Sequence, residues 1–201
     1  MKVVALNGSA RKDGNTAMLI QAVFEELKKE GIETEMIQMA GKKIQGCLAC
    51  YKCFKNKDRR CSVDKDILNG IIAKMEKADG ILLGSPTYFS DVSSGMRAFI
   101  ERCGFVGRAN NYMFKGKVGA SVVAVRRAGA VQAFTSMNLF LHYMQTVMPG
   151  ASYWSLAVSR HPARSRAGMK KMWLKRPFCD RSAAIFEKEG LKPKKKAVSD
   201  C

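Results

Sequence analysis

The sequence predicts one α/β domain built on a parallel sheet that is covered by helices on both faces. Two apolar stretches, 80–84 and 117–125, have the length and the continuous hydrophobicity of strands buried on both sides. Segments of helical periodicity alternate with the strands, which implies right-handed βαβ crossovers. With 201 residues, 47% of them hydrophobic, the chain can bury the core of such a domain. We place the domain at 1–157 and a basic segment at 158–201.

The first three elements follow from periodicity and from the turn residues between them. Residues 2–6 form an apolar strand. A helix opens at Asn15 or Thr16, after a run of small and polar residues, and Gly31 ends it. Residues 33–39 alternate in polarity, which is typical of an edge strand that is less buried than the first. The core side of the helix is formed by Leu19, Ile20, Val23, Phe24 and Leu27.

The middle of the domain holds a loop, a helix and the central strand. The loop spans 40–64 and is rich in cysteine. Residues 66–77 have helical periodicity, and the carboxylate of Asp64 or Asp66 can cap that helix. Residues 80–84 form a short apolar strand between turn residues, as is typical of the centre of a parallel sheet.

The last elements are two helices, two strands and the basic segment. We predict a helix at 94–103, the second buried strand at 117–125, a long helix at 131–147 and a fifth strand at 151–158. The basic segment is interrupted by three prolines, and only 180–191 has the pattern of a capped amphipathic helix. This segment is either a divergent end that binds a partner or the product of a frame shift in the coding sequence.

Four cysteines within fifteen residues form the strongest motif of the chain. Their pattern is C-x2-C-x2-C-x7-C, at Cys47, Cys50, Cys53 and Cys61. Three thiolates from one tight loop can face a common centre, and a fourth can close the remaining position after a longer connection. A [4Fe–4S] cluster is held in this way. A structural zinc site usually takes two separated C-x2-C pairs, and four free thiols in a surface loop are the third interpretation.

Charge and cysteine usage limit the function classes. The net charge is +18, and the segment 158–201 holds 13 Lys and Arg against 4 Asp and Glu. Such charge attracts anions in general, but no zinc-finger, RRM or helix-turn-helix pattern indicates nucleic-acid binding. No apolar run is long enough to cross a bilayer, and the N-terminus has the pattern of a strand rather than of a signal peptide. Seven cysteines, four of them at metal spacing, favour a reducing cytoplasm.

Three loops follow the carboxyl ends of strands, where open parallel sheets bind their ligands. The first, 8–16, is rich in small residues and hydroxyls and leads into a helix N-terminus, so it can bind a phosphate. It matches neither the GxGxxG nor the Walker pattern. The second, 84–89, offers two aromatic rings and backbone groups to a planar heterocycle. The third, 125–130, has two arginines and a glycine that could neutralise a phosphate, contact a flavin ring or lie in solvent.

Together these loops resemble those of the flavodoxin-like NAD(P)H-dependent FMN reductases, and the cysteine motif resembles that of the iron–sulfur flavoproteins within that superfamily. The resemblance extends from residue 1 to about residue 156. It implies a flavodoxin-like three-layer sandwich whose five-stranded parallel sheet has the order 2-1-3-4-5. It also implies that the four cysteines ligate the cluster. The residues that it assigns to FMN are Ser9, Arg11, Asn15, Thr16, Pro86, Thr87, Tyr88 and Phe89. From the third loop we add Arg127 and Gly129 as candidate cofactor-binding residues.

The resemblance also implies a function. It implies one FMN and one [4Fe–4S] cluster per subunit, NAD(P)H as a donor, electron exchange with a ferredoxin-like acidic carrier, and a homodimer or homotetramer. The cations around the cysteines that would attract such a carrier are Lys52, Lys55, Lys57, Arg59 and Arg60. No Ser-His-Asp set, acid–base carboxylate pair or HExxH motif is present, so catalysis would depend on cofactor positioning. Two alternatives stay open: a cluster-free NAD(P)H-dependent FMN or quinone reductase, and a redox-responsive binding protein that uses the basic segment.

Overall fold

The computed structural model describes residues 1–151 and 154–158. The strands of this part of the chain are β1 (Lys2–Asn7), β2 (Glu33–Gln38), β3 (Gly80–Pro86), β4 (Val118–Val125) and β5 (Leu156–Val158). The helices are α1 (Asn15–Lys29), α2 (Lys52–Asn56), α3 (Leu68–Lys77), α4 (Ser94–Ala109) and α5 (Ala130–Tyr143). The strands form one parallel sheet in the order β2-β1-β3-β4-β5. The predicted order and the edge position of β2 are confirmed.

Alternate residues of the strands pack on opposite faces of the sheet, as the pleat requires. On one face, Val3 and Ala5 of β1 pack with the buried residues of α1. On the other face, Val4 and Leu6 pack with the buried residues of α3, α4 and α5. The sheet is therefore the middle layer of three, and its carboxyl edge is left to the loops that carry the site.

Helix α1 lies very close to β3 just below that edge. A Cβ atom at Gly84 would stand 2.7 Å from Cδ1 of Ile20 and 3.1 Å from Cγ2 of Thr16, so a larger residue here would require the Ile20 side chain to move. The N–H of Gly8 donates to the carbonyl oxygen of Gly84 over 2.8 Å. The first loop is thereby held directly over the end of the central strand.

The start of α3 differs from the predicted one. The helix begins at Leu68 and Ile67 is its N-cap, so neither Asp64 nor Asp66 occupies the capping position. One oxygen of Asp66 does accept the N–H of Leu68, at 3.1 Å, but the other is paired with Arg102. The Asp66 carboxylate therefore serves both the start of α3 and a tertiary ion pair.

Other boundaries also shift for tertiary reasons. Helix α4 continues to Ala109, beyond the predicted end at 103, because Gly107 is a packing residue rather than a stop: a Cβ there would stand 2.6 Å from Sδ of Met144. Helix α5 ends four residues early, since Gln145 adopts a left-handed φ of 57° and Val147 pairs with Val118. The short helix α2 was not predicted, and β5 is limited to its last three predicted residues.

The predictions for 159–201, including the helix at 180–191, lie outside the described residues. Across 1–151 and 154–158, no helix combines the length and the apolar character needed to span a bilayer.

Candidate functional site

The carboxyl ends of β1, β3 and β4 bring the three predicted loops together around one cavity. Its volume is about 520 Å³, within the usual range for a cofactor site. It is lined by Ser9, Arg11, Gly14, Asn15, Thr16, Pro86, Thr87, Tyr88, Ala124, Val125 and Arg126. We call this the first cavity. Seven of the ten residues predicted for FMN therefore lie together.

The loop before α1 is folded by its own side chains. The oxygen Oδ1 of Asn7 accepts the N–H of Ser9 at 3.1 Å, and Oγ of Ser9 accepts the N–H of Arg11 at 3.1 Å. Gly14 is the extended N-cap of α1 and contributes no capping side chain, and the first turn of the helix holds no acidic residue. The positive end of the helix dipole therefore faces the cavity without a competing carboxylate, which suits a phosphate.

The loop after β3 turns sharply beside the first loop. The N–H of Thr87 donates to the carbonyl oxygen of Ala124 at 2.9 Å, and Tyr88 and Asp91 exchange backbone hydrogen bonds at 2.8 and 3.1 Å. The hydroxyl Oγ1 of Thr87 is buried and has no hydrogen-bond partner among the described residues. Because Thr87 lines the cavity, a bound ligand could supply the hydrogen-bond partner that this hydroxyl lacks.

The other three predicted residues do not line this cavity. Phe89 is fully exposed at the tip of the turn, with a left-handed φ of 47°. Arg127 is exposed, and Arg126 lines the cavity beside it. Gly129 has a φ of 82°, and a Cβ there would stand 2.8 Å from Cα of Ser90. Its backbone thus packs the loop after β4 against the loop after β3.

Sequence reasoning missed Asp91, which ties the turn to two helices. Its Oδ1 accepts the Ser136 hydroxyl at 2.8 Å and the N–H of Val92 at 2.7 Å, while Oδ2 is paired with Arg97. Burial alone would raise the pKa of the Asp91 carboxyl, but these hydrogen bonds outweigh burial and hold the pKa below its ordinary value. An Asp in a turn after a strand is a local signal that could have drawn attention to it.

The four motif cysteines also share one cavity, which we call the cysteine cavity. It is small, about 20 Å³, and all four side chains lie in its wall with those of Arg102, Phe105 and Val106. Ala49 and Tyr51, which stand between the first three cysteines, have left-handed φ values of 49° and 53°. These turns wind the loop so that successive cysteines face the same space.

Three of the thiols make hydrogen bonds. The N–H of Ala49 donates to Sγ of Cys47 at 3.4 Å, and Cys50 lies 3.4 Å from the Ser62 hydroxyl. Nε of Arg102 donates to Sγ of Cys61 at 3.3 Å. The Ser62 contact lowers the pKa of the Cys50 thiol, whereas burial raises that of Cys53. Donors of this kind stabilise sulfur that carries negative charge.

The donor set fits a soft metal centre, but its geometry is open. Thiolates are the ligands that iron–sulfur clusters and zinc take. Among the described residues, no group of three or more His, Cys, Asp or Glu side chains is close enough to hold a metal ion. The four cysteines are therefore assembled around one space without converging on a point, and their role as ligands stays a prediction.

The surface around the cysteine cavity is aromatic and cationic. Tyr51, Phe54 and Phe105 pack with ring centroids 6.1 to 6.2 Å apart, and the guanidinium of Arg108 lies 5.8 Å from the Phe54 ring. The five predicted cations of the loop are all exposed, and Arg59 is paired with Glu76. The rings shield the thiols on one side while the cations face solvent.

A third cavity, of about 810 Å³, lies between the other two, and we call it the bridging cavity. Ser9 and Tyr88 line both it and the first cavity. Val63 lines both it and the cysteine cavity. The two predicted cofactor sites thus lie on the same edge of the sheet and are connected through shared walls.

The sequence of this chain is similar to those of known flavoproteins. Residues 1–160 match the model of the NADPH-dependent FMN reductase family. An iron–sulfur flavoprotein of Methanocaldococcus jannaschii is 33% identical over 169 residues, which are 81% of this chain and 85% of that protein. An iron–sulfur flavoprotein of Archaeoglobus fulgidus is 36% identical over 152 residues, covering 74% and 72% of the two chains.

Solved structures show the same fold at low identity. The structure of RosB has a TM-score of 0.64 and 16% identity, and the match covers 96% of this chain and 88% of RosB. A flavodoxin from the domain Archaea has a TM-score of 0.54 and 15% identity, over 86% and 93% of the two chains. The flavodoxin-like class predicted from the sequence is confirmed.

Proposed function

The chain belongs to the NADPH-dependent FMN reductase family and, within it, to the iron–sulfur flavoproteins, and we propose that it passes electrons between FMN and a [4Fe–4S] cluster that it holds on one edge of its sheet. It is a flavin-dependent oxidoreductase. The observation that supports the proposal is that neighbouring cavities share lining residues, because electron exchange between two centres requires that they lie near each other.

The first cavity fits FMN by its chemistry. The start of α1 and the guanidinium of Arg11 would hold the phosphate, and Ser9 and Thr16 would donate hydroxyls to it. The buried hydroxyl of Thr87 would hydrogen-bond the flavin. Pro86 and Tyr88 would bound the ring on the side of β3. These residues bind and orient; none of them is a general acid or base, and we assign no catalytic side chain.

The cysteine cavity fits the cluster by its donor set. Cys47, Cys50, Cys53 and Cys61 would be the ligands. FMN can take two electrons singly or as a hydride, whereas a [4Fe–4S] centre moves one, so the pair converts between the two kinds of electron transfer when both are bound. The protein's own contribution is to hold the two sites beside one bridging cavity and to shield the thiols with an aromatic wall.

The exposed cations of the cysteine loop support a ferredoxin-like acidic carrier as the partner of the cluster. NAD(P)H would be the donor or acceptor on the flavin side, in keeping with the family. We also propose a homodimer or homotetramer and a cytoplasmic location, which suits free thiols.

A second candidate is a cluster-free NAD(P)H-dependent FMN or quinone reductase. It is favoured by the open geometry of the four thiols, because no metal-binding group is formed in 1–151 and 154–158. In that case the cysteine loop would be structural only.

Anaerobic reduction of the bound flavin separates the two candidates. Reduced ferredoxin and NADPH are each mixed with the wild-type protein and with a variant in which the four motif cysteines are Ser. We expect the variant to lose reduction by ferredoxin and to keep its FMN. Equal rates of ferredoxin reduction in both proteins would favour the cluster-free reductase.

A further inference from the structure

Helix α4 carries a fully buried arginine that faces the cysteine loop. Arg102 has a side-chain exposure of 1%, and its partner Asp66 has 7%. A buried guanidinium is costly unless its N–H groups are paired, so its position in the fold demands an explanation. The hydrogen bonds of the guanidinium described here go to acceptors outside α4. All of its acceptors come from 45–66, the stretch that contains the cysteines.

The guanidinium makes four hydrogen-bonded contacts with that stretch. Nε donates to Sγ of Cys61 at 3.3 Å. Nη1 donates to the carbonyl oxygen of Gln45 at 3.1 Å and is paired with the Asp66 carboxylate, and Nη2 donates to the carbonyl oxygen of Val63 at 2.6 Å. The planar fork of an arginine presents five N–H donors in a rigid arrangement, which suits several acceptors at once.

Cys61 is the anchored member of the cysteine set. Its N–H donates to Oδ1 of Asn69 at 2.8 Å, and its carbonyl oxygen accepts Nδ2 of the same residue at 2.9 Å. Asn69 thus holds the backbone of Cys61 from α3, while Arg102 holds its sulfur from α4. The thiol of Cys50, by contrast, is exposed, and its side-chain contact is with the hydroxyl of Ser62 in the same loop.

The same helix also contacts, at its N-terminal end, the loop that precedes α1, and both partners of that contact line the bridging cavity. Ser93, the N-cap of α4, donates its hydroxyl to the carbonyl oxygen of Gly8 at 2.7 Å, and Oγ of Ser85 accepts the N–H of Ser93 at 3.0 Å. Nine residues separate Ser93 from Arg102, or about 14 Å along a helix axis. Helix α4 therefore connects the loop that precedes α1, through Ser93, with the sulfur of Cys61, through Arg102.

From these contacts we infer that Arg102 is the positioning residue that fixes Cys61, and the chain before and after the cysteine motif, onto α4. Through α4, Arg102 also fixes the position of the cysteine cavity relative to the first cavity. The inference rests on the proposed function only in treating Cys61 as a cluster ligand. The contact of the loop with α4 exists whether or not a cluster is bound.

The first test uses the metal-free full-length protein and the rate of alkylation of Cys61 by iodoacetamide, followed by peptide mass spectrometry. We expect Arg102→Gln to raise that rate at least tenfold. Cys103 is the internal control for folding, because it lies fully buried on the same helix and burial raises the pKa of its thiol. The variant Arg108→Gln changes an exposed arginine of α4 that does not contact a thiol, and it should react like the wild type.

Arg102→Gln leaves the Asp66 carboxylate buried without its partner, so we add a double variant, Arg102→Gln with Asp66→Asn, in which neither group is charged. Arg102→Lys keeps a charge for Asp66 but not the planar fork, and it too should leave Cys61 reactive. The rate of Cys61 alkylation is interpreted only for the variants in which Cys103 stays unreactive. Wild-type reactivity of Cys61 in such a folded variant would overturn the inference.

The second test uses protein purified without air. In a folded Arg102 variant we expect FMN content within the error of the wild type, at least a threefold loss of iron, and a shift of the remaining cluster signal to a lower reduction potential, because an N–H···S donor to Cys61 has been removed. Unchanged iron content and potential would overturn the inference. A wild-type protein without iron would instead remove the proposed cluster, and the alkylation rates would still decide the role of Arg102.

Discussion

The hydroxyl of Ser93 donates to the carbonyl oxygen of Gly8 across 2.7 Å and joins the start of α4 to the loop that precedes α1. The oxygen Oγ of Ser93 also accepts the N–H of Met96 at 3.3 Å, so this one side chain both caps α4 and holds the loop. Both residues are buried, and both belong to segments that line the bridging cavity. The shape of the bridging cavity therefore depends on a contact between residues that are 85 positions apart in sequence.

Ser93→Ala removes that contact and the helix cap together. We expect it to lower the free energy of unfolding by about 1–2 kcal/mol, because a cap is lost and a buried carbonyl oxygen keeps no side-chain donor. FMN should also bind more weakly. Urea denaturation and a fluorescence titration with FMN measure the two effects. Ser94→Ala is the control, since Ser94 is exposed, and equal effects of the two substitutions would contradict the role given to Ser93.

Gly129→Ala tests the contact between the two loops that follow β3 and β4. Its φ of 82° strains any other residue, and a Cβ would stand 2.8 Å from Cα of Ser90. We expect a loss of about 1–3 kcal/mol of stability and a weaker affinity for FMN. Gly116→Ala is the matched control, because Gly116 has a φ of 77° with no neighbour within 4 Å of its Cβ position. The control should lose stability from strain alone and keep its FMN affinity.

Thr87→Val tests whether the unpartnered hydroxyl in the first cavity binds the flavin. We expect the Kd for FMN to rise roughly fivefold, the equivalent of about 1 kcal/mol for one hydrogen bond. The stability of the FMN-free protein should not fall, since a buried hydroxyl without a partner has been removed. Thr34→Val is the control, because Oγ1 of Thr34 is also buried and unpartnered among the described residues but lies on β2. An unchanged Kd in Thr87→Val would remove this residue from the flavin site.

Acid unfolding tests the carboxylate of Asp91. Its pKa is lowered in the folded protein, so its contribution to stability is present above the ordinary value of about 3.8 and is lost as the pH falls through the folded-state pKa. Asp91→Asn should therefore destabilise the protein at pH 7, and the difference from the wild type should shrink as the pH falls below 3.8. Urea midpoints at a series of pH values give the curve. A difference that stays constant with pH would mean that the charge of Asp91 is not what matters.

The parts of this molecule that sequence could predict are those with local signals. The loops at 8–16 and 84–89 follow apolar strands and contain small residues, hydroxyls and a proline, and the structure places both around one cavity. The buried arginine at position 102 could not be predicted, because in sequence it is one polar residue of an amphipathic helix. Its burial depends on acceptors in the cysteine loop, such as the carbonyl oxygen of Gln45, which stands 57 residues earlier.

The choice between neighbouring residues in the third loop depends on backbone geometry that sequence does not reveal. Two adjacent arginines follow β4, and only Arg126 lines the cavity. Gly129 was predicted to contact the cofactor, whereas its close neighbour in the structure is the backbone of Ser90. In each case the loop predicted from the sequence lies beside the cavity, but its backbone geometry places a different residue there than the one predicted.

We propose that this chain holds both FMN and a cubane cluster, and the content of FMN, iron and acid-labile sulfide per chain, in protein purified without air, tests both cofactors at once. The account predicts about one FMN with about four iron and four sulfide, and loss of the iron but not of the FMN in Cys61→Ser. FMN without iron, or zinc in place of iron, would contradict it.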